Sequence, residues 1–367
     1  MGKQWSLESL GADGAHIDFV IAQLPYRIGR SKENDLVIAN LGLSRAHAVL
    51  TRDISGQMRL VDEDSTNGTF VNRHRIEGYC LLKENDIIHF GSAEFKLRLR
   101  LLDQRDATAF DEMHIMVMSR SMSFSDNFLP NEAEFDELIM GQGLSGAAQP
   151  IVDAHTRQIV GYELLGRANH PQLPNTPIEL FGLAESMGRE LDLRAAFRKF
   201  GFSEMAPRIL DNPLFINVHP KETFNESLIA SLELLRRTSQ KLDIVVEIHE
   251  SAVADIVKLR ALANRLAQVD IRFAYNDFGA GQARFLELAD VPPHFVKFDR
   301  SLIHGLHKAS HHKHKIVKDL VQMVLGTGSV PLAEGVEYEE EARACTDMGF
   351  SLIQGYLTGR PIPANSL

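Results

Sequence analysis

The chain has 367 residues, 44% of them hydrophobic and 24% charged, which is typical of a globular protein with two or three domains. The formal net charge is -10 and no long block of like charge occurs, so the sequence argues against a nucleic-acid partner. Two cysteines exclude a disulfide framework and favour a cytoplasmic location, and without an export signal or an apolar run of about 18 residues we expect no membrane span.

The chain divides by pattern into three stretches. Residues 17–101 contain short strand-like runs separated by Gly, Asn and Asp turn signals, which predicts an all-β sandwich over residues 1–102. Residues 103–140 show little periodicity and are interpreted as a linker, in which 109–118 could still form a strand. Beyond residue 141, apolar strands alternate with helical stretches, so residues 141–367 are predicted to form an α/β barrel.

Three polar clusters interrupt the predicted sandwich, and each lies between strand-like runs: RIGRSKENDLVI, LSRAH and STNGTF. A phosphate group is bound by guanidinium, hydroxyl and amide donors held on loops of a rigid scaffold. The clusters supply these donors from Arg30, Ser44, Arg45, Thr66 and Asn67. The sequence therefore predicts a phosphate-binding surface on the loops of the first domain.

In their order, these clusters resemble the forkhead-associated (FHA) family, whose β-sandwiches recognise phosphothreonine peptides. The resemblance implies that Arg30 and Ser44 contact the phosphate, that Arg45 or Thr66 assists, and that Asn67 holds the peptide backbone. The alternative is an FHA fold that has lost phosphate binding and serves only as a protein contact.

Polar residues also follow the predicted strands of the second domain. They are Glu163, Asn217, Glu247, Asn276, Asp277, Lys297 and Glu334. In a βα barrel, the carboxyl ends of the strands meet at one mouth, where the chemistry takes place. Oxygen ligands gathered there suit Mg²⁺ or Mn²⁺, and such ions support phosphodiester hydrolysis. Metal-assisted phosphoryl chemistry is therefore the leading hypothesis, although a single carboxylate of this kind is usually a strand cap or salt bridge.

The same stretch resembles the EAL family, whose members hydrolyse cyclic di-GMP to linear pGpG or bind it as receptors. The motifs that carry the resemblance are QPIVD, ELLGR, FINVHP, VVEIHES, YNDFGAGQ, VKFDRSLI, LAEGVE and QGYLTGRP, in family order across residues 142–364.

The resemblance assigns a role to each site residue. The implied metal ligands are Glu163, Asn217, Glu247, Asn276 and Asp277. Lys297, Glu334 and Gln354 match positions that orient or activate water, and Glu337 is a further contributor. Together with Glu163 they form the implied catalytic set. Gln149 and Arg167 match nucleotide contacts, and Glu250 matches a residue that anchors the loop after the fifth strand.

The sequence departs from the family pattern at the paired aspartates, where Asn276 precedes Asp277. A neutral amide in place of a carboxylate weakens binding of a divalent cation. His249 replaces a threonine, and the segment 282–285 (QARF) differs from the family's loop. These changes predict a divergent site whose catalysis is impaired.

Three functions are compatible with the sequence. The barrel could be a slow, metal-dependent cyclic di-GMP phosphodiesterase, a receptor that binds cyclic di-GMP without cleaving it, or an interaction scaffold that binds no nucleotide. The expected partners are cyclic di-GMP and a phosphothreonine protein, and a homodimer through the barrel is left open. The retained site residues argue against the scaffold, whereas Asn276 argues against full-rate hydrolysis.

Overall fold

The computed structural model describes residues 3–10, 15–40, 42–101, 114–116, 131–209, 211–280 and 285–367. They belong to two compact units, one made of residues 1–143 with 168–193 and the other of residues 144–167 with 194–367. Most of the predicted linker lies outside the described residues, and so do residues 282–284 of the divergent loop. Within the described ranges, no helix is long and apolar enough to cross a membrane.

The first unit is built on two six-stranded sheets. Its strands are β1 (Lys3–Leu10), β2 (His16–Val20), β3 (Tyr26–Gly29), β4 (Leu36–Ile38), β5 (Ala48–Arg52), β6 (Met58–Asp62), β7 (Thr69–Val71), β8 (His74–Arg75), β9 (Tyr79–Leu81), β10 (Ile87–Phe90), β11 (Ala93–Leu101) and β12 (His114–Met116). The sheet orders are β2-β1-β11-β10-β7-β8 and β12-β4-β3-β5-β6-β9. Apolar side chains such as Leu7, Ile28 and Phe95 are fully buried in the core of this unit. The prediction of an all-β first domain is confirmed.

The first unit also holds two helices, α1 (Glu132–Ile139) and α2 (Pro177–Ser186). Helix α2 begins where the sequence supplies a start signal, because Thr176 is the N-cap residue and a proline follows it. The Thr176 side chain accepts a hydrogen bond from the Glu179 main-chain N. Helix α2 buries Leu180 and Leu183. Helix α1 forms in the last residues of the stretch predicted as a linker.

The second unit is a closed barrel, as predicted. Its strands are β13 (Leu144–Asp153), β14 (Ile159–Ala168), β15 (Leu214–Asn217), β16 (Ile244–His249), β17 (Ile271–Phe278), β18 (Phe295–Phe298), β19 (Val330–Ala333), β20 (Leu352–Gln354) and β21 (Ile362–Pro363). They are ordered β14-β15-β16-β17-β18-β19-β20-β13-β21, and pairing of β13 with β14 closes a ring of eight strands. Neighbours from β14 to β20 run parallel, whereas β13 is antiparallel to β20.

Helices lie between the parallel strands, as βα units require. They are α3 (Glu190–Met205), α4 (Glu226–Thr238), α5 (Ile256–Gln268), α6 (Phe285–Asp290), α7 (Arg300–Ile303), α8 (His311–Gly326) and α9 (Glu339–Met348). A 3₁₀ turn at Glu250–Ala254 follows β16. This arrangement leaves the inward-facing side chains of the strands to fill the interior and, at the carboxyl ends, to form the mouth.

Candidate functional site

The barrel interior contains an apolar layer and, next to it, a polar layer. The apolar layer consists of Ile151, Phe215, Val245, Ala274, Phe295 and Leu332. For the five of these residues that lie on β15 to β19, the residue two positions later in the chain is polar. These polar residues are Asn217, Glu247, Asn276, Lys297 and Glu334. Because side chains alternate along a strand, residues two apart face the same side. The polar groups therefore lie directly above the apolar layer, on the side of the carboxyl ends of the strands.

The position of Glu163 differs from the prediction. The sequence placed it after the end of its strand, but β14 continues to Ala168, and Glu163 lies opposite Phe215 in the ladder. The difference arises because ladder hydrogen bonds involve the main chain, so a charged side chain that faces the interior need not end a strand.

Lys297 lies at the centre of the polar layer and is fully buried. Its Nζ is 3.1 Å from Glu163 Oε2, 2.5 Å from Glu247 Oε1 and 2.7 Å from Glu334 Oε1. A buried ammonium of this kind needs several acceptors to replace its hydration. The three carboxylates supply them, and their negative charge is in turn partly neutralised.

Amide side chains complete the environment of Glu163. Asn217 Nδ2 donates to Glu163 Oε1 at 2.6 Å, and Gln354 Nε2 donates to Glu163 Oε2 at 2.7 Å. Asn276 Nδ2 approaches Asn217 Oδ1 at 3.4 Å. The Asn217 amide is thus engaged on both sides, by a carboxylate on one and by the divergent Asn276 on the other.

The charges in this layer shift the pKa values of its members. Burial, followed by the charge of Glu163, raises the pKa of Glu247 well above its usual value. Burial also raises the pKa of Glu334 to about 7, against the effect of Lys297. For Glu163, burial is outweighed by Lys297 and the amide donors, so its pKa is lowered. Burial would lower the pKa of Lys297, but the three carboxylates together raise it well above its usual value.

The polar layer contains carboxylate and amide oxygens, which are the ligands that a divalent cation prefers. Among the described residues, no group of three or more His, Cys, Asp or Glu side chains is arranged to hold a metal ion. Lys297 contacts the carboxylates that such an ion would also use. Two of the five expected ligands nevertheless have a buried oxygen that lacks a donor among the described residues, Glu247 Oε2 and Asn276 Oδ1. Both belong to expected ligands, so the oxygen chemistry fits a cation that is held jointly by carboxylate and amide oxygens.

Asp277 lies at the rim of the layer in an unusual backbone conformation. Its φ is 58°, and the ladder between β17 and β18 shifts register between Tyr275 and Phe278. Bulges of this kind redirect side chains and are frequent beside functional sites. Asp277 Oδ2 is 3.3 Å from His249 Nε2, so the divergent histidine contacts an expected metal ligand.

Two further predicted residues contact loops around the mouth. Glu250 is buried, and its Oε2 accepts a hydrogen bond from the Gly279 main-chain N at 3.0 Å, which is the type of contact a loop anchor needs. Glu337 Oε1 is 2.8 Å from Arg300 Nη2, and Glu337 is not one of the three carboxylates that contact Lys297. The predicted water-orienting residues are therefore not all gathered at one point.

The predicted nucleotide contacts lie on β13 and β14. Gln149 Nε2 donates to Gly359 O at 3.1 Å, and Gln354 approaches its Oε1 at 3.4 Å. Arg167 donates to Gly166 O at 2.9 Å, and burial lowers the pKa of its guanidinium. Since arginine stays charged even so, it can still contact a phosphate or a guanine edge.

Sequence reasoning missed one charged group near the site. Arg194 of α3 is sufficiently close that Glu163 and Glu247 both act on its pKa, although burial lowers that pKa overall. In the sequence it belongs to a charged helical stretch, LDLRAAFRK, that is typical of a solvated face. No local pattern distinguishes it from the other arginines there.

In the first unit, the predicted phosphate-binding residues come together on neighbouring loops. The Arg30 main-chain N donates to Ser44 O at 3.0 Å, and the Thr66 main-chain N donates to Ser44 Oγ at 3.1 Å. Arg30 and Arg45 are exposed. Gly29 permits this approach, because a Cβ at that position would collide with Arg45 O. Two hydroxyl groups and two accessible cations thus share one surface.

Asn67 differs from its neighbours because it is only 1% exposed. Its Nδ2 donates to Gly42 O at 2.6 Å, and its main-chain O accepts from Asn131 Nδ2 at 3.1 Å. Over the described residues, its Oδ1 has no donor. A peptide N–H could satisfy this atom only after the groups that cover it move.

His47 connects two of these loops and is fully buried. Its Nδ1 accepts a hydrogen bond from the Ser44 main-chain N at 3.3 Å, while Nε2 lies 3.2 Å from Gly68 O. A neutral ring with a proton on Nε2 satisfies both contacts. Burial lowers the pKa of His47 to about 4.

We therefore expect the first domain to lose stability in mild acid. In the unfolded chain His47 takes up a proton near pH 6.5, whereas in the folded chain its pKa is about 4. The contribution of the neutral ring to the free energy of unfolding is therefore fully present above pH 6.5 and is lost as the pH falls towards 4. The expected loss by pH 4 is about 3 kcal/mol from this group. Urea unfolding can be followed by the fluorescence of Trp5, the single tryptophan, which lies on β1. The pH dependence should shrink in His47→Gln, and an unchanged slope in that variant would contradict the assignment.

Comparisons with known proteins identify two families in the chain. The family model described as EAL domain matches residues 132–361, and the model described as FHA domain matches residues 26–91. Cyclic di-GMP phosphodiesterase PdeL of Escherichia coli is 30% identical over 227 residues, which are 59% of this chain and 62% of PdeL. The chain therefore spans less than two thirds of that relative.

Solved structures with the same fold include two nucleotide complexes. The PaMucR phosphodiesterase in its c-di-GMP complex is 25% identical with a TM-score of 0.58, and the match covers 64% of this chain and 97% of that one. The manganese and cyclic di-GMP complex of Klebsiella pneumoniae BlrP1 is 25% identical with a TM-score of 0.54, covering 61% of this chain and 57% of that one.

Proposed function

The chain belongs to the EAL domain family and carries an FHA domain before its EAL domain, and from this we propose that it joins cyclic di-GMP binding in the barrel to phosphothreonine recognition by the sandwich. We further propose that the barrel hydrolyses cyclic di-GMP slowly to linear pGpG. The relatives named above support the nucleotide, since two of them are c-di-GMP complexes. A cytoplasmic location and a homodimer through the barrel are part of the same proposal.

One observation carries the proposal for the barrel: three carboxylates from three different barrel segments converge on the buried Lys297. Such a cluster is costly to bury and contributes little to stability compared with apolar packing. A barrel that served only as a scaffold would have no need of it. The cluster therefore favours chemistry or ligand binding at this mouth.

A divalent cation, Mg²⁺ or Mn²⁺, would be held by the five expected ligands, Glu163, Asn217, Glu247, Asn276 and Asp277. When bound, such a cation offsets negative charge on a phosphodiester and lowers the pKa of water. With a neutral amide at Asn276, the ligand set carries one negative charge fewer than the family's pattern, so the chain should bind the cation weakly. BlrP1 is a manganese complex, which supports this class of ion.

The chain's own residues would act on the nucleotide and on a proton. Gln149 and Arg167 would contact the nucleotide, while Gln354 orients Glu163 through the 2.7 Å hydrogen bond. Glu334, with a pKa of about 7, is suited to exchange a proton near neutral pH. Lys297 would keep the carboxylates together and limit their mutual repulsion. We place Glu337 at the edge of this group, where it would help to orient water.

A receptor without hydrolysis is the second candidate, and the amide pair favours it. Asn276 Nδ2 lies 3.4 Å from Asn217 Oδ1, so the oxygen that Asn217 would offer to a cation already faces a donor. Nucleotide contacts through Gln149 and Arg167 do not depend on that oxygen. Separation of the nucleotides after prolonged incubation with Mn²⁺ distinguishes the candidates, because a receptor returns cyclic di-GMP unchanged.

For the FHA domain, we expect the full chain to bind a phosphothreonine peptide and the variant Arg30→Ala to lose that binding. Removal of a charge-assisted phosphate contact should cost about 2 kcal/mol or more, which is on the order of 30-fold in Kd. Fluorescence anisotropy with a labelled degenerate phosphothreonine peptide library measures this loss.

Arg52→Ala is the matched control, since Arg52 is also exposed on the sandwich and caps a turn by donating to Gly56 O at 2.7 Å. The control should bind like the wild type, and Trp5 fluorescence should show that Arg30→Ala remains folded. Equal affinity for phosphorylated and unphosphorylated peptides would contradict phosphothreonine recognition.

A further inference from the structure

Helix α2 contacts the loops expected to bind phosphate. Thr66 Oγ1 donates a hydrogen bond to Glu179 Oε1 at 3.3 Å, and both residues belong to the first unit. The same Thr66 hydroxyl lies 3.3 Å from Ser44 Oγ. A carboxylate, which like a phosphate is an anion with acceptor oxygens, therefore occupies the Thr66 hydroxyl, next to the Ser44 hydroxyl that is assigned to the phosphate.

The Glu179 carboxylate is held in this place by its own helix. Its Oε2 accepts a hydrogen bond from Thr176 Oγ1 at 2.6 Å, and Thr176 is the N-cap residue of α2. The main chain of α2 is close as well, since a Cβ at Gly42 would lie 3.6 Å from Gly182 O. The contact therefore involves the helix as a body and is not a chance approach of one mobile side chain.

The peptide-holding position is covered too. Asn67 is 1% exposed, and Asn131, the N-cap residue of α1, donates to its main-chain O. Its buried Oδ1 has no donor among the described residues. A buried acceptor normally has a hydrogen-bond donor. If Asn67 binds a peptide and the peptide is excluded in this arrangement, its Oδ1 would be left buried without a donor, as observed among the described residues.

We infer that helix α2 is an internal ligand of the phosphate loops, and that a phosphothreonine protein binds by displacing it. The inference rests on the proposed phosphothreonine recognition. Arg30 and Arg45 remain exposed, so they can attract a phosphate before the cover moves. A phosphate, with a charge of about -2 and three acceptor oxygens, then competes well against a carboxylate with a single charge.

Displacement of α2 also acts on the chain beyond the sandwich. Residues 169–176 join α2 to β14, the strand that carries Glu163 and Arg167. A partner that removes α2 from the loops therefore also displaces one end of residues 169–176, the segment that follows β14. By linkage, any ligand that favours the covered arrangement weakens binding of the phosphothreonine partner, and the partner weakens binding of that ligand by the same factor.

The test compares the full-length wild type with Glu179→Ala, Glu179→Gln and the control Glu185→Ala, which removes an exposed carboxylate from the same helix. The probes are a degenerate phosphothreonine peptide library and its unphosphorylated counterpart. Glu179→Ala should bind the phosphorylated library more tightly by on the order of tenfold, because one hydrogen bond to a charged acceptor no longer opposes the peptide. Glu179→Gln should lie between, and Glu185→Ala should match the wild type. Hydrogen exchange of residues 177–186 should rise when the wild type is saturated with peptide.

Equal phosphopeptide affinity for all four proteins, with unchanged exchange in α2, would overturn the inference and leave phosphothreonine recognition intact. Failure of every variant to prefer the phosphorylated library would overturn the inference together with the proposed function of the FHA domain.

Discussion

Replacement of Lys297 by methionine is expected to lower the free energy of unfolding of the barrel by about 3–5 kcal/mol. The ammonium is fully buried within 3.1 Å of three carboxylate groups, from Glu163, Glu247 and Glu334. Methionine fills a similar volume but leaves these carboxylates buried without a counter-charge, and their mutual repulsion is then no longer offset. The expected effect is therefore much larger than the usual effect of losing a surface charge.

Urea unfolding followed by far-UV circular dichroism measures this effect, because most helices of the described chain lie in the barrel unit. Lys318→Met is the control, since Lys318 is exposed on α8. It should change stability by less than about 0.5 kcal/mol. Trp5 fluorescence reports the sandwich separately and should be the same in both variants. A loss for Lys297→Met no larger than that for Lys318→Met would contradict the assigned role of the ammonium.

Restoration of a carboxylate by Asn276→Asp is expected to raise both Mn²⁺ affinity and hydrolysis of cyclic di-GMP, each by on the order of tenfold or more. The change is nearly isosteric and adds one negative charge beside Asp277. In the wild type, Asn276 Nδ2 approaches Asn217 Oδ1 at 3.4 Å. In the variant a carboxylate oxygen would take the place of this donor, so without a cation two acceptor oxygens would face each other. The variant should therefore be less stable than the wild type in EDTA and gain more stability from Mn²⁺.

Thermal unfolding with and without Mn²⁺ tests the stability change, and chromatography of the nucleotides tests turnover. Asn225→Asp is the matched control, because Asn225 is the N-cap residue of α4 and its side chain contacts Lys221 O, not the mouth. It should leave the Mn²⁺ response unchanged. Efficient hydrolysis by the wild type, abolished in Glu163→Ala, would show instead that the amide suffices as a ligand and that Asn276 is not a disabling change.

Sequence patterns predicted the two folds and most members of the mouth because both depend on local regularities. The i, i+2 relation between Phe295 and Lys297, or between Val245 and Glu247, places a polar side chain above an apolar one on the inner face of a strand. The polar loops of the sandwich could also be predicted from the sequence, because Arg30, Ser44 and Thr66 lie between recognisable strands. These three residues meet in the structure.

The remaining features depend on tertiary contacts that no short pattern encodes. The convergence of Glu163, Glu247 and Glu334 on one ammonium requires the barrel to close, and the left-handed conformation of Asp277 depends on a register shift between two strands. The cover over Asn67 involves Asn131, which is 64 residues away in sequence.

Calorimetric titration of the full wild-type chain with cyclic di-GMP, first in EDTA and then with Mn²⁺, followed by analysis of the nucleotide, tests the central claim most directly. We predict measurable binding in both conditions, because the contacts proposed for Gln149 and Arg167 need no cation. With Mn²⁺ we predict only slow formation of pGpG, because the proposed ligand set is one charge short at Asn276. Absence of binding in both conditions would contradict the account and leave the barrel as an interaction scaffold.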